Sequence, residues 1–296
     1  MNTLFVRILL LIGLGLSLLL MPVGCATAKT NRRTVTGTVT DYHKITIKGS
    51  DTLVKRTKNA AEFHVVTAKR GVGVIIGDFD QFIIEANDNV IDYVITEVKN
   101  GKLTVSIDDA VNVRNLHVIV KIPNNGKIHT INASSGASVK TEQAVQTESL
   151  ECQLSSAATL DAALKADRCQ IRLSSGAEMR CVADFTTCSI QATSAAELTA
   201  SVKAQSLTVH QSSGAEVRLT GSCETLEAGL SSGAELHAKQ LEVRRSALVN
   251  ASSGADASVN CAGELTAHAS SGADIVYTGD CRVNRQTSSG GSVKKR

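Results

Sequence analysis

The chain of 296 residues has no Trp, two Pro, five Phe and three Tyr. So few aromatics leave little from which to build a base-stacking surface or a sugar-stacking platform. Charge of one sign is also missing: 31 Lys and Arg against 28 Asp and Glu leave +3, so no strong field draws the chain to nucleic acid, and no such partner is expected. There is no Walker loop, no G-x-S-x-G elbow and no dinucleotide fingerprint; Gly71-Val72-Gly73 lacks the third Gly and a following helix. EF-hand loops, G-G-x-G-x-D nonapeptides, C-x-x-C pairs and Cys/His clusters are absent as well. What is present is 43% hydrophobic residues, mostly small or branched, which excludes wholesale disorder and suffices for one large domain or two ordinary ones.

The longest apolar run, Ile8 to Leu20 after Arg7, is too short to span a bilayer but suits the core of a signal peptide. Met21-Pro22-Val23-Gly24-Cys25 follows, and a Cys directly after Gly resembles a bacterial lipobox, with Pro22 where Leu is usual. Residues 1–24 are therefore expected to be removed. Cys25 is then lipidated, and residues 25–33 form the new N-terminus and a polar tether. A plain secretory signal with a chance Cys is the alternative. Ala26, where an Asp would favour inner-membrane retention, points to an outer-membrane lipoprotein that meets the membrane through its lipid anchor. Seven cysteines remain: Cys152, Cys169, Cys181, Cys188, Cys223, Cys261 and Cys281. An odd number argues against a complete disulfide framework.

From residue 134 a phrase occurs in nine copies. Ser134-Ser135-Gly136-Ala137 returns with first residues at 155, 174, 193, 212, 231, 252, 270 and 288, spacings of 18 to 21. A period near twenty means a solenoid. Five residues after each first Ser stand Val139, Leu160, Met179, Leu198, Val217, Leu236, Ala257, Ile275 and Val293, and apolar columns also recur three and five residues before it. Alternation with period two on both sides of the corner predicts all-β structure, a parallel β-helix of about 19-residue turns. Gly at the corner supplies a backbone conformation that other residues resist, and the paired Ser can bond neighbouring backbone. Most cysteines fall in inward columns, where a thiol packs as a small hydrophobe. Cys169 and Cys188 share one column, and stacked free thiols are expected rather than a bridge.

Residues 34–123 lack the phrase but still alternate. Runs at 34–39, 44–48, 63–67, 72–76, 81–86, 90–98, 102–107 and 116–122 read as strands, and Asn100-Gly101 as a hairpin turn. This region is expected to form irregular coils or an N-terminal cap, and residues 124–296 the regular β-helix. The last turn has no evident cap; Lys294, Lys295 and Arg296 there are a device against edge-to-edge growth.

Val90 to Val105, Leu116 to Pro123 and the Ser-Ser-Gly-Ala turns together resemble the head GIN domain family of auto-transporter adhesins, across about Thr34 to Val293. The resemblance implies a right-handed β-helix in the cell envelope, and brings no catalytic residues. The family is common in exported proteins of Bacteroidetes, and surface-displayed lipoproteins of that phylum often carry acidic residues soon after the lipidated Cys. Ala26-Thr27-Ala28-Lys29 has none, so a periplasmic face is as well supported as the cell surface.

One outward column stands apart. The residue after the corner Ala is Glu178, Glu197, Glu216, Glu235, Asp256 and Asp274 on six consecutive turns. Carboxylates about 4.8 Å apart repel and call for compensation. A bound Ca²⁺ bridging neighbours is one answer, or a basic partner; the plainer answer is Arg180, Arg218 and His237, two residues further on. No metal site is established by this pattern. Turns of 18 to 21 residues leave no room for a cleft built of long loops, and the seven His show no ligand spacing, so no enzyme and no catalytic residue are expected. The leading expectation is a non-enzymatic envelope lipoprotein that presents a β-helix face to an envelope protein or a surface glycan. A periplasmic scaffold assembling end to end as a homo-oligomer is the alternative, and a glycan-active enzyme a weaker one.

Overall fold

The computed structural model describes residues 45–296, which fall in one compact unit of the chain. The leader, Cys25, the tether and the run at 34–39 lie outside the described residues. Among the described residues there is no α-helix, only strands and one 3-10 turn at Ile91–Tyr93.

The regular part is a parallel β-solenoid with the register that the sequence columns require. Thr159–Leu173, Glu178–Ala192, Glu197–Gln211 and Glu216–Leu230 stack in parallel, each paired residue by residue with the next. Leu160, Met179, Leu198, Val217 and Leu236 thereby form one buried file, continued by Ala257, Ile275 and Val293. Longer repeats are absorbed locally. Two register shifts, between Arg218 and Thr220 and between Cys223 and Thr225, take up the extra residues of Glu235–Ala251, away from the corner.

Each corner is a tight turn with two successive left-handed residues. Ser135 has φ 55 and Gly136 φ 72, and the Ala137 N–H donates to the Ser134 carbonyl at 3.2 Å. Two positive φ values around such a bond define a type I′ turn, in which Gly is the natural second residue. Coil is tied to coil by the Gly136 N–H, which donates to the Ser156 carbonyl at 2.9 Å; the later corners repeat this bond. The paired serines do bond neighbouring backbone at these corners, through their own carbonyls.

The start of the stack does not follow chain order. Val65–Lys69 and Gly73–Gly77 form a coil whose corner holds Arg70 (φ 59) and Gly71 (φ 72). That coil pairs in parallel with Thr130–Ser134 and Ser138–Thr141 on one side, and with Lys102–Ile107 and Val118–Pro123 on the other. Antiparallel strands then flank the coil below it. Val94–Lys99 folds back on Lys102–Ile107 through Asn100-Gly101, both with positive φ. Gln81–Asn87 lies against Val118–Pro123, and Leu53–Asn59 against Gln81–Asn87. Ile45–Lys48 pairs in parallel with Val111–Arg114.

Two sequence expectations change here. The run 90–98 is not one strand, because Ile91–Tyr93 turns before Val94–Lys99 begins. Leu53–Asn59 and Val111–Arg114 are strands without a predicted counterpart. Leu53–Asn59 is exposed almost throughout, so no buried face imposes alternation on it.

Candidate functional site: an in-register carboxylate ladder

The acidic column is a physical ladder. Glu178, Glu197, Glu216, Glu235, Asp256 and Asp274 are each the direct register partner of the next. Each is the first residue of its strand, one step beyond the buried corner Ala and one before the buried file of Leu160 and its equivalents. Strand alternation therefore turns all six side chains outward.

Their surroundings differ. Arg180 pairs with Glu178, and Arg218 with Glu216, each from the next outward position on the same strand. His237 Nε2 lies 2.9 Å from Glu216 Oε1 and 3.2 Å from Glu235 Oε2. Among the described residues, Glu197, Asp256 and Asp274 have no cationic partner. Neutralisation is thus uneven, full at Glu178 and Glu216 and lacking at Glu197 between them.

Donor chemistry splits the ladder as well. Single donor atoms of Glu216, Glu235 and His237 lie within 4.8 Å of one another, a mixed nitrogen and oxygen set. Imidazole suits zinc and other transition metals, whereas Ca²⁺ takes oxygen ligands. Asp256 and Asp274, register partners on the next two coils, offer oxygen donors alone.

The other His residues are scattered. His64 stacks on His129 with ring centroids 4.9 Å apart, and His117 lies 3.6 Å from Glu85. His210 and His268 share a column three coils apart, as the sequence placed them. The seven cysteines are free thiols, all buried except the half-buried Cys281. Cys169 and Cys188 are register partners in the core.

A second concavity has no counterpart in the sequence reading. It is an open trough of about 520 Å³ beside the corners, on the strand that leads into them. Thr67, Asn132, Gln153, Arg172 and Gln191, register partners on successive coils, run along it. Only Gln153 and Gln191 share a residue type in this column, and Arg172 stands between them, so no run of like residues marked it.

Comparison with known proteins places the fold. Solved structures of a "putative adhesin" from Parabacteroides merdae and of another from Parabacteroides distasonis superpose with TM-scores of 0.62 and 0.61 at 15% and 16% identity. They cover 85% of this chain, and 99% and 100% of their own. A structure from Parabacteroides distasonis described as a "putative lipid binding protein" matches equally, with TM-score 0.61, 16% identity, 85% of this chain and 99% of its own. At such identities the likeness is one of fold. Among curated proteins no sequence matches this chain. The family described as "Putative auto-transporter adhesin, head GIN domain" matches residues 62–200 and 170–281, spanning the coil of Val65–Lys69 and Gly73–Gly77 and nearly all the regular turns. The chain belongs to the head GIN domain family.

Proposed function

We propose that this protein is a non-enzymatic binding scaffold of the cell envelope, anchored in the outer membrane through lipid on Cys25, which engages an envelope protein or surface glycan through its carboxylate ladder. The observation that carries this reading is the ladder itself, six acidic side chains in direct register on consecutive coils. A flat repeating face of this kind offers many equivalent contacts to an extended partner. Corners of four residues build no loop-walled cleft beside it, which supports binding rather than turnover. Family membership and the adhesin descriptions of the similar structures agree with a binding role.

Divalent cations give the ladder its sharpest role. Ca²⁺ shared between neighbouring carboxylates relieves their repulsion and leaves coordination positions for an acidic partner. The test is calcium titration of the purified chain by calorimetry and melting temperature, beside the Glu197→Gln, Glu216→Gln, Glu235→Gln triple variant. Saturable stabilisation that the variant loses supports a cation-dependent contact face. Absence of any calcium effect removes the cation from the reading, and a glycan and surface-protein array with no micromolar partner removes the adhesin role.

A further inference from the structure

The trough beside the corners combines features that the ladder lacks. Thr67 points outward by register, between the buried Val66 and Ala68, yet it is only 3% exposed. Its hydroxyl oxygen has no hydrogen-bond partner, nor has the buried amide oxygen of Asn132, the next residue up the column. Two buried polar atoms without partners at the floor of one hollow are costly unless something supplies the missing bonds. Around them stand Lys69, Lys102 and Arg172, and no carboxylate lines the hollow. Arg172 is held by Glu151, which also accepts a bond from Gln153 Nε2 at 2.7 Å. Among the described residues Lys69 and Lys102 have no acidic partner.

The shape narrows the occupant. The trough follows a register column, so it runs from coil to coil, flanked by the hydroxyls of the first corner residues from Ser134 to Thr193. Further up the same column a second hollow, of about 370 Å³, opens past Gly229, where His210 lies over the missing side chain. A linear ligand laid along the stack meets both. The strands on either side are already paired, so no free edge is offered for a peptide to add as a strand. What the trough does offer is hydroxyls, amides and cations, without an aromatic ring.

We propose that this trough is a second binding site that takes a segment of an acidic polysaccharide, with carboxylates on Lys69, Lys102 and Arg172 and sugar hydroxyls on Thr67 and Asn132. Recognition by charge and hydrogen bonds replaces the ring stacking that this composition cannot supply. The site is separate from the carboxylate ladder and does not depend on it.

The experiment is calorimetric titration of the purified chain with oligogalacturonate, with cello-oligosaccharide of equal length as the neutral probe and inorganic phosphate as competitor. The expected result is binding of the acidic oligomer alone, weakened by salt and not abolished by millimolar phosphate. Lys69→Gln and Lys102→Gln should each weaken it about tenfold, the loss of one charge-assisted contact. Thr67→Val removes an unpartnered hydroxyl at constant shape, so it should hold or raise the melting temperature while weakening binding. The ladder triple variant should bind as the parent does. Equal affinity for the neutral oligomer, full displacement by phosphate, loss of binding in the ladder variant, or no binding at all would each overturn the proposal.

Discussion

At the scale of single residues the corner is the most demanding position. Seven of the nine corners place Gly after the left-handed Ser; the other two place Ala157 at φ 57 and Ala195 at φ 56. An L-residue held there costs roughly 1–2 kcal/mol, part of which Gly returns as extra freedom in the unfolded chain. Ala195→Gly is therefore expected to stabilise the fold by about 0.5–1 kcal/mol in urea unfolding. Gly214→Ala, at φ 68 with open space where the methyl would stand, should cost about as much. Equal midpoints for both variants and the parent would mean that the corner relaxes freely. Buried thiols add a pH dependence at the same scale. Burial pushes Cys181 up to about 12, while burial above all raises Cys152, and a hydrogen bond with Cys188, followed by burial, raises Cys169. Above about pH 9 the unfolded chain releases the Cys181 proton that the native chain keeps, so stability falls with rising pH up to 12. That one thiol accounts for about 1.4 kcal/mol per pH unit. Cys181→Ala should flatten the alkaline decline of the urea midpoint; an unchanged slope would place the ionisation elsewhere.

At the scale of elements, strand register decides which side chains meet, and it was largely legible beforehand. The files through Leu160 and through Glu178 follow from a period of two counted from a fixed corner. A slip of one residue would exchange the two files, burying Glu and exposing Leu. The carboxylate ladder was legible for the same reason, together with Arg180, Arg218 and His237 beside it. Its uneven neutralisation was not legible, because that depends on which rotamers reach which carboxylate. Glu197 sits between Glu178 and Glu216, each already paired with Arg, and among the described residues has no cation of its own. In calcium-free buffer Glu197→Gln should therefore stabilise, toward the lower end of about 0.2–1 kcal/mol because the site is exposed. Added salt should shrink the difference. A destabilised variant would show that Glu197 already has a favourable partner. The trough stayed hidden for the opposite reason: Thr67, Asn132, Gln153, Arg172 and Gln191 share a column but no run of one residue type, and Thr67 joins them only through the fold.

At the scale of the whole stack, two kinds of coil carry different risks. The coil Val65–Gly77 escaped the repeat count because its corner, Lys69-Arg70-Gly71-Val72, keeps only the Gly of the phrase, and because its neighbours above and below both lie dozens of residues later in the chain. Closing those long loops precedes any reward from pairing, so this coil is the slow and costly step in building the stack. The regular coils instead pair with their sequence neighbours, and in such arrays stability is close to a sum of local and nearest-neighbour contributions. Excising residues 193–211 joins Ala192 to Ser212 at equivalent points of two corners and brings Glu178 against Glu216 in unchanged register. That shortened chain should fold, with β-type circular dichroism and one cooperative transition a few degrees lower. Excising residues 65–77 leaves two coils without the partner between them, and no soluble folded product is expected. If the first deletion also failed to fold, the coils would not be interchangeable units, and the ladder would be a consequence of one indivisible core rather than of a repeated corner.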